Sequence, residues 1–599
     1  MTQKKRIHLI PFSHLDLFWG GSRTECLTRG ITIFKTALDL LDQYPNYRFM
    51  IEATNFLELF FEACPQEKSR VRSHVQSGHL EVIPMRAIIF TQLPSGETLV
   101  RNILHGRAYC QRELGMTSKI ISMSDIPGIT PQMPQIAAGS GMEALFLSHG
   151  CPPHTNHITY KALDGTCIKS YAPAHYATCL HLLNDGDDYD QMLQCKADFA
   201  AFFKDIDYNV LCQWGMDLCV VGSNVVDNLM RFNDEGHAPL TFNTFTEFFS
   251  QHYPANPKTI TGEIPSLWPN IESTWPDIWP LDLPCEQALF NAEFFSVLSG
   301  NTTHAPILCK AWDWLLDSMD HNQNGIGGEQ ADKDKRDLKV AAKLAAEQIT
   351  KQLAWSLAAK ATAPVADAFP IVIFNPLSWQ RSERICARTA IYGPGSAKHQ
   401  QLRDDPQSFR LIDAAGNEIP FRVIKHRAML ADTIELEFFA QDIPALGART
   451  YYLQPIKRST FASPFKVDDG NKRDKVTPEQ YAGNTTIESD FLKLDIDRVT
   501  GEFSLFDKQQ YRTVLNRAGM IALEEKRGDY ICKMDLTGRT IPAVMEKLEL
   551  LDHAPVAYRV QLSGTIYGQR YIQILTLDAN SPTLHIENKI DWQGGVYTR

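Results

Sequence analysis

The chain has 599 residues, 44% of them hydrophobic and 22% charged, with a mean hydropathy of -0.24 and a formal net charge of -11 at pH 7. Such a composition is that of a soluble globular protein too long for one core, so two to four domains are expected. The acidic balance, without any basic tract, argues against a nucleic-acid partner, and no run approaches the ~20 apolar residues of a spanning helix, which argues against a membrane one.

The segment from Met1 to Arg6 is polar and basic, and the apolar run behind it is broken by Pro11, Ser13, His14 and Asp16, so no secretory leader is expected. The thirteen cysteines show no C-x-x-C spacing and read as reduced thiols, consistent with a cytoplasmic location.

In chain order, short apolar runs at 6–12, 47–53, 79–85, 119–124, 144–149 and 208–214 read as strands. Helical patterns at 30–43, 55–62 and 96–113 lie between them, as in parallel βα units. In such folds chemistry gathers at the carboxyl ends of strands. Three runs here lead straight into candidate residues: His14 with Asp16, then Asp125, then Asp217. Residues i and i+2 share a face of an extended chain, so His14 and Asp16 can converge on one cation through an imidazole nitrogen and a carboxylate oxygen. Trp19 follows as a flat surface for a sugar. For each aspartate the simpler alternative is a helix N-cap.

From about Pro284 three helical stretches follow, at 285–298, 306–319 and 334–360. His321 stands at the end of the second, where it can equally serve the helix dipole as a C-terminal cation. Beyond Pro364, alternating segments at 371–375, 409–413, 433–439, 491–497, 556–566 and 583–590 predict an all-β region, with a loop at 457–483. The last residues leave that region without a closing element, so it is expected to be incomplete.

Several motifs now stand in order. They are Ser13-His14-Leu15-Asp16 through Trp19, the stretch 93–101 with Gly106-Arg107, and Ser124-Asp125-Ile126-Pro127-Gly128 followed by Pro134-Gln135-Ile136. Leu163-Asp164-Gly165, Gly215-Met216-Asp217-Leu218 and Ile373-Phe374-Asn375-Pro376-Leu377-Ser378-Trp379 complete the series. Together they resemble the glycoside hydrolase family 38 α-mannosidases. The resemblance implies a multidomain α/β, all-α and all-β chain: a parallel (β/α)7-like barrel over 1–262, a three-helix bundle over 263–363 and an antiparallel β-sandwich over 364–599. It further implies a metal-dependent, retaining glycoside hydrolase acting on α-mannosyl oligosaccharides or N-glycan fragments. Asp125 would be the nucleophile and Asp217 the acid/base. One divalent cation, Zn2+ by preference, would be held by His14, Asp16, Asp125 and His321. Register leaves Gln323 as the alternative to His321; imidazole is the better zinc ligand.

The chain also departs from the family pattern. Phe12 stands where a further histidine is common, Tyr160 replaces a common tryptophan, and Ile88 and Phe90 occupy places usually given to cleft-lining carboxylates. Trp268, Trp275 and Trp279 are secondary candidates for sugar contact. Two competing readings follow: a carbohydrate-binding relative without turnover, and a metal-dependent deacylase, which leaves Asp217 without a task. A homo-oligomer is compatible with any of these.

Overall fold

The computed structural model describes residues 6–148, 156–173, 175–204, 206, 208–266, 277–322, 327–362, 368–391, 409–427, 432–454, 456, 461, 463–468, 483–526, 536–552, 555–596 and 598. They divide into two compact units, one running through Lys351 and one from Gln352 onward.

The first unit alternates strands and helices. Its strands are β1 (Ile7–Pro11), β2 (Phe49–Ile51), β3 (Leu80–Val82), β4 (Ile120–Met123), β5 (Ala144–Leu147), β6 (His157–Lys161), β7 (Cys167–Tyr171), β8 (Val210–Trp214), β9 (Leu240–Phe242) and β10 (Lys258–Thr261). The helices are α1 (Arg23–Gln43), α2 (Thr54–Ala63), α3 (Lys68–Gln76), α4 (Gly96–Leu114), α5 (Met133–Gly139), α6 (Thr178–Leu182), α7 (Tyr189–Phe202), α8 (Ser223–Asp234), α9 (Phe245–Gln251), α10 (Asp282–Ser299), α11 (Ala305–Ser318) and α12 (Glu329–Ala358), the last of which runs on from Gln352 into the second unit.

Parallel pairing dominates, and among the described residues the ladders are ordered β8-β1-β9, β10-β6-β7-β5-β4 and β2-β3, with a parallel bridge between Phe12 and Met50 joining the β1 chain to β2. β6 and β7 run antiparallel, joined through the Asp164-Gly165 turn, where Gly165 takes a left-handed φ of +91°. β1 is buried along its whole length, as an internal strand with parallel neighbours on both sides must be.

Two clusters of buried residues pack against β1, β2, β3 and β8. Leu27, Phe34, Leu57, Phe60 and Val71 of α1 to α3 pack with Ile51 and Leu80. Met192, Phe199, Leu229 and Phe232 of α7 and α8 pack on Ile7, Leu9, Val210 and Trp214. Helix α1 begins at Arg23, seven residues before the apolar periodicity becomes clear, because Ser22 and Glu25 form a reciprocal capping box. The three later helices appear in the expected order as α10, α11 and α12.

The second unit is antiparallel β throughout its described strands. A four-stranded sheet containing Phe369–Asn375 and Gly447–Gln454 shares a core with the three-stranded sheet of Arg381–Ile391, Asp432–Ile443 and Phe421–Arg427; Ile371, Leu453, Leu436 and Phe438 meet there. A second pair of sheets shares the core around Leu494, Ile496, Val560 and Leu575. Face-to-face antiparallel layers of this kind suit the alternation that predicted strands here. Part of the stretch expected to be a loop, Lys466–Asp468, is a strand paired with Asn484–Glu488.

Candidate active site

The site grows from the ends of β1, β4 and β8 and from the turn after α11. Beyond Pro11, the β1 chain stays beside the β8 chain. His14 N–H donates to the Met216 carbonyl at 3.1 Å, Leu218 N–H donates to the His14 carbonyl at 2.8 Å, and His14 bridges Asp217 in parallel. Such close passage requires Gly215, since a Cβ there would lie 2.2 Å from the Phe12 carbonyl oxygen. Two departures from the strand then turn the chains aside, Phe18 at φ 86° and Leu218 at φ 56°, both left-handed and costly for non-glycine residues.

Asp125 follows β4 directly. The segment before it is fixed by Ser124, whose Oγ accepts from the Gln213 amide at 2.7 Å. Gly128 lets the chain pass under Gln92 and Ser266, which a Cβ would meet at 2.2 and 2.7 Å. His321 comes from another direction: its N–H donates to the Ile88 carbonyl at 2.8 Å, and Asp320 bridges Ile89. Ile88 and Phe90 are themselves buried, at 2% and 5% exposure, and the Phe90 ring meets the His321 ring edge-on with centroids 6.3 Å apart. The segment that departs from the family pattern thus forms the apolar wall that seats His321.

Ligand atoms of His14, Asp16, Asp125 and His321 all lie within 4.8 Å of one another. The two Nε2 atoms are 3.1 Å apart. Asp16 Oδ1 is 3.4 Å from His14 Nε2 and 3.5 Å from His321 Nε2, and Asp125 Oδ2 lies 3.7 and 3.4 Å from the same atoms. His14, Asp16 and His321 are buried, and Asp125 is half-buried.

The polar groups behind this cluster orient it. Glu52 Oε2 lies 2.9 Å from His14 Nδ1, so a neutral His14 turns its Nε2 lone pair into the cluster. The Asn322 amide donates to Asp16 Oδ1 at 2.9 Å and to Asp320 Oδ1 at 2.8 Å. The Lys335 ammonium, its pKa drawn down to about 8 by burial, donates to the Asn322 carbonyl.

A cation answers this arrangement. Two imidazole nitrogens face each other, Asp16 Oδ2 is buried without a hydrogen-bond partner, and Glu52 and Asp320 add negative charge behind the histidines. Two nitrogens and two carboxylate oxygens are a donor set that Zn2+ accepts. Burial opposes charging His14, yet Glu52 and Asp16 hold its pKa well above the usual imidazole range. For His321 burial likewise opposes the charge, and Asp320, Asp125 and Asp16 outweigh it. The cluster therefore demands positive charge, from a proton or from a metal ion.

Asp217 faces the cluster from the β8 side. The Tyr176 hydroxyl donates to its Oδ1, and the Tyr176 ring lies 5.4 Å from that of His14. Burial raises the Asp217 pKa above the ordinary carboxylate range, while Tyr176 and the nearby His14 pull against that rise. A carboxyl whose pKa is raised beside a second carboxylate is the kind of separation that acid catalysis by a paired carboxylate uses. Neither aspartate serves as the helix cap considered from the sequence: α5 starts after Gln132 and α8 after Gly222. Met319, not His321, is the C-cap of α11.

Trp19 is half-buried, with its carbonyl accepting from Arg29 Nη1 at 3.2 Å. Trp279, also half-buried, lies with its ring 6.2 Å from that of Phe90. Tyr160 is buried, and its hydroxyl donates to the Gly262 carbonyl at 2.7 Å. Trp268, Trp275 and Gln323 lie outside the described residues. Sequence reasoning passed over Glu52, Tyr176, Asn322 and Lys335. Glu52 had a signal, an acid at the end of the apolar run Phe49-Met50-Ile51, the same pattern that singled out Asp125.

Residues 4–266 match the glycosyl hydrolases family 38 N-terminal domain. Alpha-mannosidase G of Dictyostelium discoideum is 24% identical over 178 residues, 28% of this chain and 16% of that protein. Alpha-mannosidase 2C1 of Homo sapiens is 26% identical over 177 residues, 28% of this chain and 17% of that one. The matched segments thus span about a sixth of these relatives' lengths. An alpha-mannosidase from Enterococcus faecalis V583 superposes over 98% of this chain and 74% of its own with a TM-score of 0.79 at 17% identity, a likeness of fold. The family 38 resemblance read from the sequence is borne out.

Proposed function

From a chain whose residues 4–266 carry the family 38 N-terminal domain, we propose a metal-dependent, retaining α-mannosidase acting on terminal α-mannosyl linkages of oligosaccharides or N-glycan fragments. The convergence of His14, Asp16, Asp125 and His321, with Asp217 facing them, carries this reading. The relatives' names supply the sugar.

Zn2+ held by His14, Asp16, Asp125 and His321 would supply fixed positive charge toward the sugar hydroxyls and keep Asp125 ionised. Asp125 attacks the anomeric carbon through a carboxylate oxygen, while Asp217 gives its proton to the departing glycosidic oxygen. Asp217, now a carboxylate, then takes a proton from the water that displaces the sugar from Asp125 and is protonated again. Tyr176 keeps Asp217 oriented through this exchange. Glu52 and Asn322 hold His14 and Asp16 in place. Trp19 offers the sugar an aromatic surface. The described cysteines stand as free thiols, which suits a cytoplasmic setting, and among the described residues no helix is long and apolar enough to cross a membrane.

The test is hydrolysis of an aryl α-mannoside by the purified chain. Activity should fall on chelation, return with Zn2+, and be lost in Asp125→Ala. Retained metal with no hydrolysis of any aryl glycoside would favour the sugar-binding reading, with Ile88 and Phe90 as its cause.

A further inference from the structure

A second group of metal-ligating side chains lies away from the site just described. His105 projects from α4, and Cys309 and Asp313, one turn apart on α11, face it; ligand atoms of all three lie within 4.8 Å of one another. His105 Nδ1 is 2.9 Å from Asp313 Oδ1. We propose that His105, Cys309 and Asp313 bind a borderline divalent cation such as Zn2+, with solvent completing the coordination.

The residue types and their placement carry this assignment. An i, i+4 pair on one helix opposed by a third donor from a neighbouring helix presents three ligands to one point. A thiolate, an imidazole and a carboxylate together select Zn2+ over Ca2+ or Mg2+, which take oxygen ligands. Cys309 is exposed, so solvent and metal have access, whereas His105 and Asp313 are held on the helix flanks at 14% and 13% side-chain exposure. The nearest opposing charge is Arg86, 3.7 Å from Asp313 Oδ1. Its guanidinium is already committed to Asp317, through contacts of 2.9 and 3.1 Å, and to Glu58. Asp313 therefore shares Arg86 with Asp317 and Glu58 while keeping its closer contact with His105.

The Cys309 thiol loses H+ to solvent as the sulfur–metal bond forms. Because the thiol must give up this proton to bind, affinity should increase with pH across the neutral range.

The metal-free 599-residue chain titrated with Co2+ tests this directly, because the cluster of His14, Asp16, Asp125 and His321 contains no sulfur. Co2+ bound at His105, Cys309 and Asp313 should give a near-ultraviolet thiolate-to-cobalt charge-transfer band that Zn2+ abolishes. The band should vanish in Cys309→Ser, and its half-saturation should move up roughly tenfold or more in His105→Gln. No band at saturating Co2+, or a band that survives in Cys309→Ser, would overturn the assignment.

Discussion

His14 and Asp217 show how much of this protein's chemistry is set by single neighbours. His14 is buried and bonded through Nδ1 to Glu52, so its other nitrogen is available to a cation only while Glu52 accepts that bond. Glu52→Gln should leave the fold intact by circular dichroism and weaken Zn2+ binding about 10- to 100-fold in a chelator-competition assay. Asp217 must be protonated to act as an acid, so activity falls as pH rises through its pKa in the substrate complex. Burial raises that pKa, and the hydroxyl of Tyr176, by donating to the carboxylate, draws it down. Tyr176→Phe should therefore shift the alkaline limb of kcat to higher pH, by roughly a unit or less for a hydrogen bond worth about 1 kcal/mol. A shift to lower pH would contradict this role. At this scale the sequence was most readable where a strand pattern ended in a charged residue, as at His14, Asp16, Asp125 and Asp217. Tyr176 carried no such mark, because it reaches Asp217 from the segment between β7 and α6, and only the folded chain brings the two together.

Elements position these groups through close backbone passage. The β1 and β8 chains run side by side past their strand ends because Gly215 presents no side chain to the Phe12 carbonyl. Gly215→Ala should destabilise the first unit by about 1–3 kcal/mol in denaturant unfolding and lower Zn2+ affinity as well. A variant of unchanged stability and affinity would mean that the two chains can separate without loss. The apolar alternation predicted most strands, and the capping box at Ser22 and Glu25, an S-x-x-E pattern, was legible yet masked by the polar first turn of α1. The order in which the parallel strands pair was not legible, since periodicity reports which face of a strand is buried and is silent on which strand lies beside it.

For the molecule as a whole, the two units have separate cores, and the four candidate ligands all belong to the first. Metal binding to the native state alone stabilises by mass action, about 2.7 kcal/mol at a free concentration 100 times Kd. Calorimetry should therefore show Zn2+ raising the transition of the first unit and leaving that of the second in place. Equal shifts in both would indicate a single cooperative molecule. The most direct test of the central claim is the anomeric form of the first sugar released from an aryl α-mannoside, followed by NMR before mutarotation. A double displacement through Asp125 predicts α-mannose, formed only with metal present and absent in Asp125→Ala. β-Mannose as the first product, or full activity in that variant, would contradict it.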